Sequence, residues 1–435
     1  MIRVTRTFWV VLALLAAVTA GYVWTRSSFF LRTIFLGVLL ILVSMLLARV
    51  SVASLRFSRA AREQRLELGK ILEERIEISN GGVFRKPWLE VLDRSTFPGT
   101  LTSRVLSKIG KHELRNFSSY SLLRQRGNYR LGPTRLAAGD PFGLFEAEVE
   151  FASTQNVLVL PYIVDLRWFP FPPGYLQGGR IFRQKTLEVT PHAAGVREYA
   201  PGDSLNRIHW PTTARRERLM VKEFEKDPQA DAWIFLDAQR GTHSCIAEST
   251  EKEKEQFWFW KTQQDFKLPE DSFEYAASLA ASVAKFWIRS ERAVGFCAAG
   301  QRFISLPAER GERQLGKILE ILALLDCHGK MPLFALVESQ APHLVKGSTV
   351  VLITASADDQ VLLSVDALIR RSLKPVVILL EPASFDLAGD CTRLVTMIRA
   401  RSVPCAVVRC NDDLQASLEN GFSQAVLPVI PTYFS

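Results

Sequence analysis

Two apolar runs near the N-terminus constrain this chain of 435 residues more than any other feature. The first covers residues 8–24, and the second covers residues 29–48 with Arg32 as its only charge. A membrane-spanning helix needs roughly 20 apolar residues, so both runs predict spanning helices. Because only residues 25–28 separate them, they predict a hairpin. A cleaved signal peptide is the competing interpretation of the first run, since arginines precede it.

The distribution of arginine decides between these interpretations. Residues 1–65 contain nine arginines and one glutamate, and so hold most of the net charge of +9. Cations concentrate in the cytoplasmic flanks of spanning helices. Two arginines lie near the loop between the runs, whereas seven flank the pair: Arg3, Arg6, Arg49, Arg56, Arg59, Arg62 and Arg65. Residues 1–64 are therefore predicted to cross the bacterial inner (plasma) membrane twice, with both termini cytoplasmic. This local charge gives no support to nucleic-acid binding.

Residues 65–164 predict a small β-sandwich-like domain with a packing role. Residues 75–78 alternate in polarity, residues 80–82 form a turn, and residues 88–92 predict another strand. A later Asp-Pro-Phe-Gly-Leu-Phe sequence predicts a tight corner that tucks Phe142 and Phe145 inward.

The segment 196–229 follows a Pro- and Gly-rich connector at residues 165–195. It predicts a short extended piece, a turn, an Arg-rich helix with Leu205, Ile208 and Thr212 at helical spacing, and a strand. Pro211 suits the first turn of a helix that starts near Trp210, or would kink one already begun.

The same segment is predicted to act as a clasp between domains, or alternatively as a partner-binding surface. A tryptophan beside a capped turn is expected to be buried, and two arginines eight residues apart would share one helical face. The residues expected to form the clasp or binding site are Arg197, Tyr199, Gly202, Asp203, Arg207, Trp210 and Arg215.

From residue 230 to residue 435 the pattern changes to alternating strands and helices. Residues 233–236, 349–354, 375–380 and 405–408 are continuous apolar runs, and residues 272–289 have one apolar face at helical spacing. Continuous apolar strands between helices predict a mostly parallel sheet covered on both faces.

The segment 196–229 resembles domain-of-unknown-function family 58. The matching residue types are Arg-Glu-Tyr at 197–199, Pro-Gly-Asp at 201–203, Arg207-Ile208, Trp210, Ala214-Arg215 and residues 219–223. The Gly-x-Tyr-x-Leu-Gly-Pro and Asp-Pro-Phe-Gly-Leu-Phe sequences upstream are also similar to that family. The resemblance implies a bacterial membrane protein with a von Willebrand factor A-like domain that works with a MoxR-type AAA+ ATPase.

Domains of the von Willebrand A type hold a divalent metal with an Asp-x-Ser-x-Ser sequence and a separate Thr and Asp. The candidate ligands here are Asp237, Gln239, Thr354 and Asp358. Hard cations prefer oxygen ligands, but Gly241 removes a hydroxyl from the expected position. The resemblance therefore predicts a degenerate site without a bound metal or other cofactor.

The chain lacks a Gly-x-Ser-x-Gly elbow, a His-Glu-x-x-His sequence and a P-loop, so it is predicted not to be an enzyme. Its six cysteines include no Cys-x-x-Cys pair and predict reduced, buried thiols. Four consecutive aromatic residues at 257–260 predict either a partner or membrane surface, or a cover for the sheet edge.

Taken together, these features predict a membrane-anchored interaction or scaffold protein. A metal-dependent adhesion-type domain and a cysteine-dependent hydrolase are the alternatives. The oligomeric state and the client are not predicted.

Overall fold

The computed structural model describes residues 2–98, 102–170, 184–186, 193–200, 208–226, 231–244 and 266–426. The chain divides into two compact units, Met1–Pro161 with Ser249–Pro269 and Tyr162–Glu248 with Glu270–Ser435. In the first unit both apolar runs are helical, as predicted: α1 (Arg6–Thr25) and α2 (Ser28–Val52) are long and apolar enough to span a membrane. They pack against each other, with Gly37 against Leu15 and Gly21 against Phe30. The predicted hairpin is therefore present.

Both ends of this hairpin join the same β-structure. Strand β1 (Ile2–Val4), before α1, pairs antiparallel with β10 (Phe145–Phe151). Strand β2 (Leu55–Ala61), after α2, pairs antiparallel with β4 (Ile71–Asn80). The two ends of the hairpin therefore lie on the same side of it.

The first unit contains antiparallel and mixed sheets. Their strand orders are β1-β10-β9-β5-β6, β2-β4-β7 and β3-β11-β8. The remaining strands are β3 (Arg65–Glu67), β5 (Lys86–Asp93), β6 (Arg104–Ile109), β7 (Leu114–Leu122), β8 (Gly127–Leu131), β9 (Thr134–Gly139) and β11 (Gln155–Leu160). One buried cluster contains Ile76 and Ile78 from one sheet and Leu89, Val91 and Leu136 from another. Two sheets therefore pack face to face, as in a sandwich.

A buried ionic cluster also joins these two sheets. The Arg59 guanidinium on β2 donates to both carboxylate oxygens of Asp93 on β5, at 2.8 and 3.0 Å. It also donates to Glu74 Oε2 on β4, with Nε at 2.6 Å. All three side chains are almost completely buried. Burial raises the pKa of Glu74, and the charge of Arg59 opposes that rise.

The second unit begins with a small sheet of order β12-β14-β13. It consists of β12 (Gln184–Thr186), β13 (Ala193–Glu198) and β14 (Met220–Lys226), with helix α3 (Trp210–Arg216) before β14. Strand β12 lies within the segment predicted to be a connector. Part of that segment packs into the unit, because Phe169 is buried with its ring 5.5 Å from that of Trp287.

The α/β region of the second unit contains a six-stranded sheet of order β17-β16-β15-β18-β19-β20. All neighbouring strands are parallel except β16 and β17, which are antiparallel. The strands are β15 (Ala232–Leu236), β16 (Val294–Ala299), β17 (Phe303–Glu309), β18 (Thr349–Thr354), β19 (Lys374–Leu380) and β20 (Cys405–Val408). The helices are α4 (Ser272–Arg289), α5 (Glu312–Leu324), α6 (Leu333–Gln340), α7 (Gln360–Arg370), α8 (Thr392–Ala400) and α9 (Leu414–Val426).

Both faces of this sheet are covered. Trp233 and Phe235 belong to a buried cluster with residues of α6, α7 and α8. Ile234 and Leu236, which alternate with them along β15, are also buried. A mostly parallel sheet with two covered faces matches the predicted α/β pattern.

Two expectations about individual residues were wrong. Phe145 is buried as predicted, but the Phe142 side chain is 53% exposed. The Asp140 carboxylate accepts the amides of both Phe142 and Phe145, which fixes the turn and leaves the first ring outside it. The second concerns the cysteines, because Cys327 is disulfide-bonded, whereas Cys297, Cys391, Cys405 and Cys410 are free thiols.

Candidate functional site

Helix α3 begins later than the sequence indicates. Ile208 forms an antiparallel bridge with Val221, and the His209 amide donates to the Met220 carbonyl at 2.8 Å. The helix starts only at Trp210, with Pro211 in its first turn. Proline has no N–H to donate and has a helical φ, so it fits that position. The expectation that Ile208 lies on the helix was therefore wrong, whereas the start near Trp210 is confirmed. Leu205 lies outside the described residues.

Polar contacts hold α3 onto β14. The Met220 amide donates to Thr213 Oγ1 at 3.0 Å, and Thr212 Oγ1 lies 2.7 Å from His209 Nδ1. Glu217 then ends the helix in the left-handed conformation. Because these threonines provide the attachment, the opposite side of the helix remains free of this sheet.

The exposed side chains of this helix and the turn after it include Trp210, Arg215, Arg216 and Arg218, and we call these four the α3 surface. Pro211, Ala214, Glu217 and Leu219 are also exposed. Trp210 is 65% exposed, so the expectation that it is buried was wrong. Arg218 Nη1 lies 3.0 Å from Glu198 Oε1 in an exposed ion pair. The α3 surface therefore combines an exposed indole with guanidinium groups, and Trp and Arg are both enriched at protein interfaces.

The other residues predicted for this site are only partly described. Gly202, Asp203 and Arg207 lie outside the described residues, so the predicted cap and the predicted Arg207–Arg215 face are untested. Arg197 is on β13 and pairs with Val221. Tyr199 is half-buried, and its amide donates to the Leu219 carbonyl at 2.9 Å. The structure thus brings Arg197 and Tyr199 to the strand that carries α3.

A second candidate site lies where the strand order reverses, between β15 and β18. Ligands of open α/β sheets bind at the carboxyl ends of the strands there. Asp237 follows β15, and its Oδ2 accepts a hydrogen bond of 2.7 Å from Thr354 Oγ1 at the end of β18. Its Oδ1 accepts the Gln239 amide at 3.0 Å. Burial raises the pKa of Asp237, partly opposed by these hydrogen bonds.

His243 is the residue of this site that the sequence did not reveal. Its side chain is buried, with Nε2 3.0 Å from the Asp237 carbonyl oxygen and Nδ1 3.2 Å from Ser272 Oγ. A carbonyl oxygen can only accept, so Nε2 carries a proton and Nδ1 can accept from the hydroxyl. No spacing between positions 237, 243 and 272 signals this contact, because the fold brings them together.

The other two candidate ligands are Gln239 and Asp358. Among the described contacts, none links either side chain to Asp237 or Thr354. Gln239 forms a backbone β-bridge with Gly329. A side chain at position 329 would clash with the Ala299 carbonyl oxygen, because its Cβ would lie 1.9 Å from that atom. Asp358 is exposed, and its amide donates to Ser356 Oγ. Within the described ranges, no group of three or more His, Cys, Asp or Glu side chains could hold a metal ion. The aromatic run at 257–260 lies outside the described residues.

Comparison with known proteins finds a family match for one segment of the chain and one relative over most of its length. The family described as "Protein of unknown function DUF58" matches residues 195–259, which include β13, α3 and β14. The chain is also 23% identical to the uncharacterized protein YeaD of Bacillus subtilis, over 80% of this chain and 83% of YeaD. Residues 195–259 of this chain thus match the DUF58 family. The α3 surface is thus part of the segment that the family description covers.

Similarity to solved structures is weak. A CARDB domain from Pyrococcus furiosus, solved with di-metal ions, is 17% identical, covers 24% of this chain and 91% of that domain, and has a TM-score of 0.18. A mutant β-glucosidase of Listeria innocua is 11% identical, covers 25% of this chain and 17% of that enzyme, and has a TM-score of 0.16. These TM-scores are too low to assign a fold or a function to this chain.

Proposed function

We propose that this protein is a membrane-anchored, non-enzymatic interaction protein, and that the α3 surface binds its partner. The observation that carries the proposal is the exposure of Trp210 on the same short helix as the exposed Arg215 and Arg216. An exposed tryptophan costs solubility, whereas at an interface an indole and guanidinium groups supply much of the binding energy. The partner surface would offer carboxylates to the arginines and an apolar pocket to the indole.

The geometry of the hairpin supports the anchoring. Both its ends join strands of one β-domain, so an even number of crossings keeps that domain on one side of the membrane. The excess of arginine beside the ends of the hairpin favours the cytoplasm for that side. The inner membrane is the corresponding location.

The α/β region supports the von Willebrand A-like interpretation. Its sheet has the doubly wound strand order, with one antiparallel edge strand, β17. The family resemblance implies a MoxR-type AAA+ ATPase, and we propose such an ATPase as the partner of the α3 surface.

The free thiols of the described residues do not favour a cysteine-dependent hydrolase. Burial raises the pKa of Cys297 to about 11 and that of Cys405 to about 12. A nucleophilic cysteine needs a lowered pKa, because the thiolate attacks. The pKa values of Cys391 and Cys410 are also raised, with burial as the largest cause.

Binding of the purified full chain in detergent to a MoxR-type ATPase from the same organism tests this proposal. We expect Arg215→Ala and Trp210→Ala each to weaken binding at least several-fold. Matched controls are Arg313→Ala on α5 and Phe303→Ala on β17, both exposed in the second unit. Equal binding by all four variants would exclude the α3 surface as the binding site.

A further inference from the structure

The turns of the β-domain that surround the end of α2 carry an unusual set of exposed side chains. The turn at residues 81–85 joins β4 to β5, and its Gly81 amide donates to the Ser54 carbonyl, just after α2, at 2.9 Å. In the same turn Val83 and Phe84 are 66% and 58% exposed, and Arg85 is exposed too. Two large apolar side chains therefore project from the domain beside the end of a predicted membrane span.

Polar contacts fix this turn to the helix. The Lys86 ammonium group donates to the carbonyl of Val50 and lies 3.4 Å from that of Ala53, where α2 leaves backbone carbonyls without helical partners. Asn80 Nδ2 donates to the Phe84 carbonyl at 2.9 Å and to the Gly110 carbonyl at 2.8 Å. The turn between β6 and β7, with exposed Lys111, is therefore held beside it.

The turn at residues 140–144, between β9 and β10, reaches further along the hairpin. Asp140 Oδ2 accepts a buried hydrogen bond of 2.7 Å from Ser44 Oγ on α2. Phe145, which follows the turn, lies with its ring 5.3 Å from that of Phe8 on α1. The ring of Phe142 remains exposed at the tip of this turn.

The length of α2 places these contacts relative to a bilayer. Its 25 residues would extend about 37 Å at about 1.5 Å per residue, which exceeds a hydrocarbon core of about 30 Å. The last turns of α2, which contact the β-domain, therefore lie at the headgroup level or just inside it. Side chains that project from the two turns meet lipid at that depth.

We propose that Val83, Phe84 and Phe142 insert into the interfacial layer of the membrane that the hairpin spans, while Arg85 and Lys111 contact lipid phosphates. Aromatic side chains and cations are favoured in this layer, where apolar groups enter the acyl boundary and charges remain with the headgroups. The proposal rests on the anchoring proposed above. As a consequence, the β-domain contacts the bilayer at three places. These are the hairpin, the turn at residues 81–85 with the neighbouring turn that carries Lys111, and the turn at residues 140–144.

Photo-crosslinking tests the proposal in the full chain reconstituted into vesicles of phosphatidylethanolamine and phosphatidylglycerol with a fluorescent phospholipid. The variants are Phe84→p-benzoylphenylalanine, Phe142→p-benzoylphenylalanine, and two controls. Phe35, exposed on α2, is the control for the span, and Tyr120 is the control for a lipid-free surface of the same domain. Tyr120 pairs with Glu73 on β4. Glu73 lies seven residues, or about 23 Å, along β4 from Asn80, which precedes the turn at residues 81–85.

We expect lipid labelling from positions 84 and 142 to be close to that from position 35 and several-fold above that from position 120. If position 35 is labelled but positions 84 and 142 are labelled no more than position 120, this proposal is overturned and the anchoring remains intact. No labelling at position 35 would overturn the anchoring, and the interfacial turns with it.

Discussion

At the scale of single residues, Arg59 shows how buried charge holds the β-domain together. Its partners Glu74 and Asp93 lie on different strands, and one belongs to the opposite sheet. Neither periodicity nor spacing could predict this cluster, because the three residues meet only after the sheets pack. Arg59 was predicted to belong to the basic flank of the membrane segment, but its side chain lies in the interior of the β-domain.

Arg59→Gln should therefore destabilise the protein strongly. Removing one partner of a buried ion pair costs about 3–5 kcal/mol, because the remaining charges stay buried without compensation. Loss of Arg59 also raises the pKa of Glu74 further, so the cost should shrink as the pH falls and Glu74 accepts a proton. Unfolding in urea at several pH values measures both effects.

Arg62→Gln is the matched control for this experiment. Arg62 pairs with Glu73 at 3.0 Å on the surface, and exposed pairs contribute less than about 1 kcal/mol. Equal losses in free energy of unfolding for the two variants would contradict a structural role for the buried cluster.

Asp237 gives a prediction about metal and pH. Both its carboxylate oxygens already accept protein hydrogen bonds, and burial favours its protonated form. We expect Mg²⁺ and Mn²⁺ to leave the thermal midpoint of the protein unchanged. A saturable stabilisation that is lost in Asp237→Ala would show that the metal site is intact.

The sign of the pH effect follows from the raised pKa of Asp237. A carboxyl group whose folded pKa is raised contributes stability at low pH, and this contribution is lost as the pH rises through the folded pKa. The native protein should therefore gain stability relative to Asp237→Asn as the pH falls from neutral towards the range in which an unfolded aspartate titrates. The opposite trend would indicate an ionised Asp237.

At the scale of elements, the strands and helices with strong periodicity could be predicted. α4 has the predicted bounds, Ser272–Arg289, and β18 has the predicted bounds, Thr349–Thr354. The burial of continuous apolar strands and long amphipathic helices can be predicted from their sequence, because their apolar faces must be buried away from water. The Asp237–Thr354 pair could be expected for the same reason, since both residues end parallel strands.

Short elements were harder to predict, and α3 shows why. A helix of seven residues buries little surface, so its orientation depends on a few local contacts. Thr212 and Thr213 make those contacts, and Trp210 stays in water. The size of Trp210 and its place beside a predicted capped turn therefore led to the wrong prediction of burial.

The exposure of Trp210 predicts a small effect of its removal on stability. Trp210→Ala should change the free energy of unfolding by about 0.5 kcal/mol or less, as expected for a surface position. Trp287→Ala, which truncates a fully buried indole on α4, should cost about 3–5 kcal/mol. Comparable losses for both variants would instead support the clasp that the sequence suggested.

At the scale of the whole molecule, membrane topology determines which partners the protein can meet. We expect Arg3 and Ser435 to lie on the cytoplasmic side, because the hairpin has two spans and its arginines concentrate beside its ends. A fluorescent protein fused after Ser435 should fluoresce, and an alkaline phosphatase fused there should be inactive. Active phosphatase would place the second unit outside, where the disulfide at Cys327 would also be favoured.

Cross-linking from position 210 in intact membranes tests whether the α3 surface is free to bind a partner. Trp210→p-benzoylphenylalanine retains an aromatic side chain at an exposed position. On irradiation of cells that also express the MoxR-type ATPase, we predict an adduct between the two proteins, and none from the same substitution at Phe303. An adduct within the chain that forms equally without the ATPase would show that α3 is an internal clasp and not a partner-binding surface.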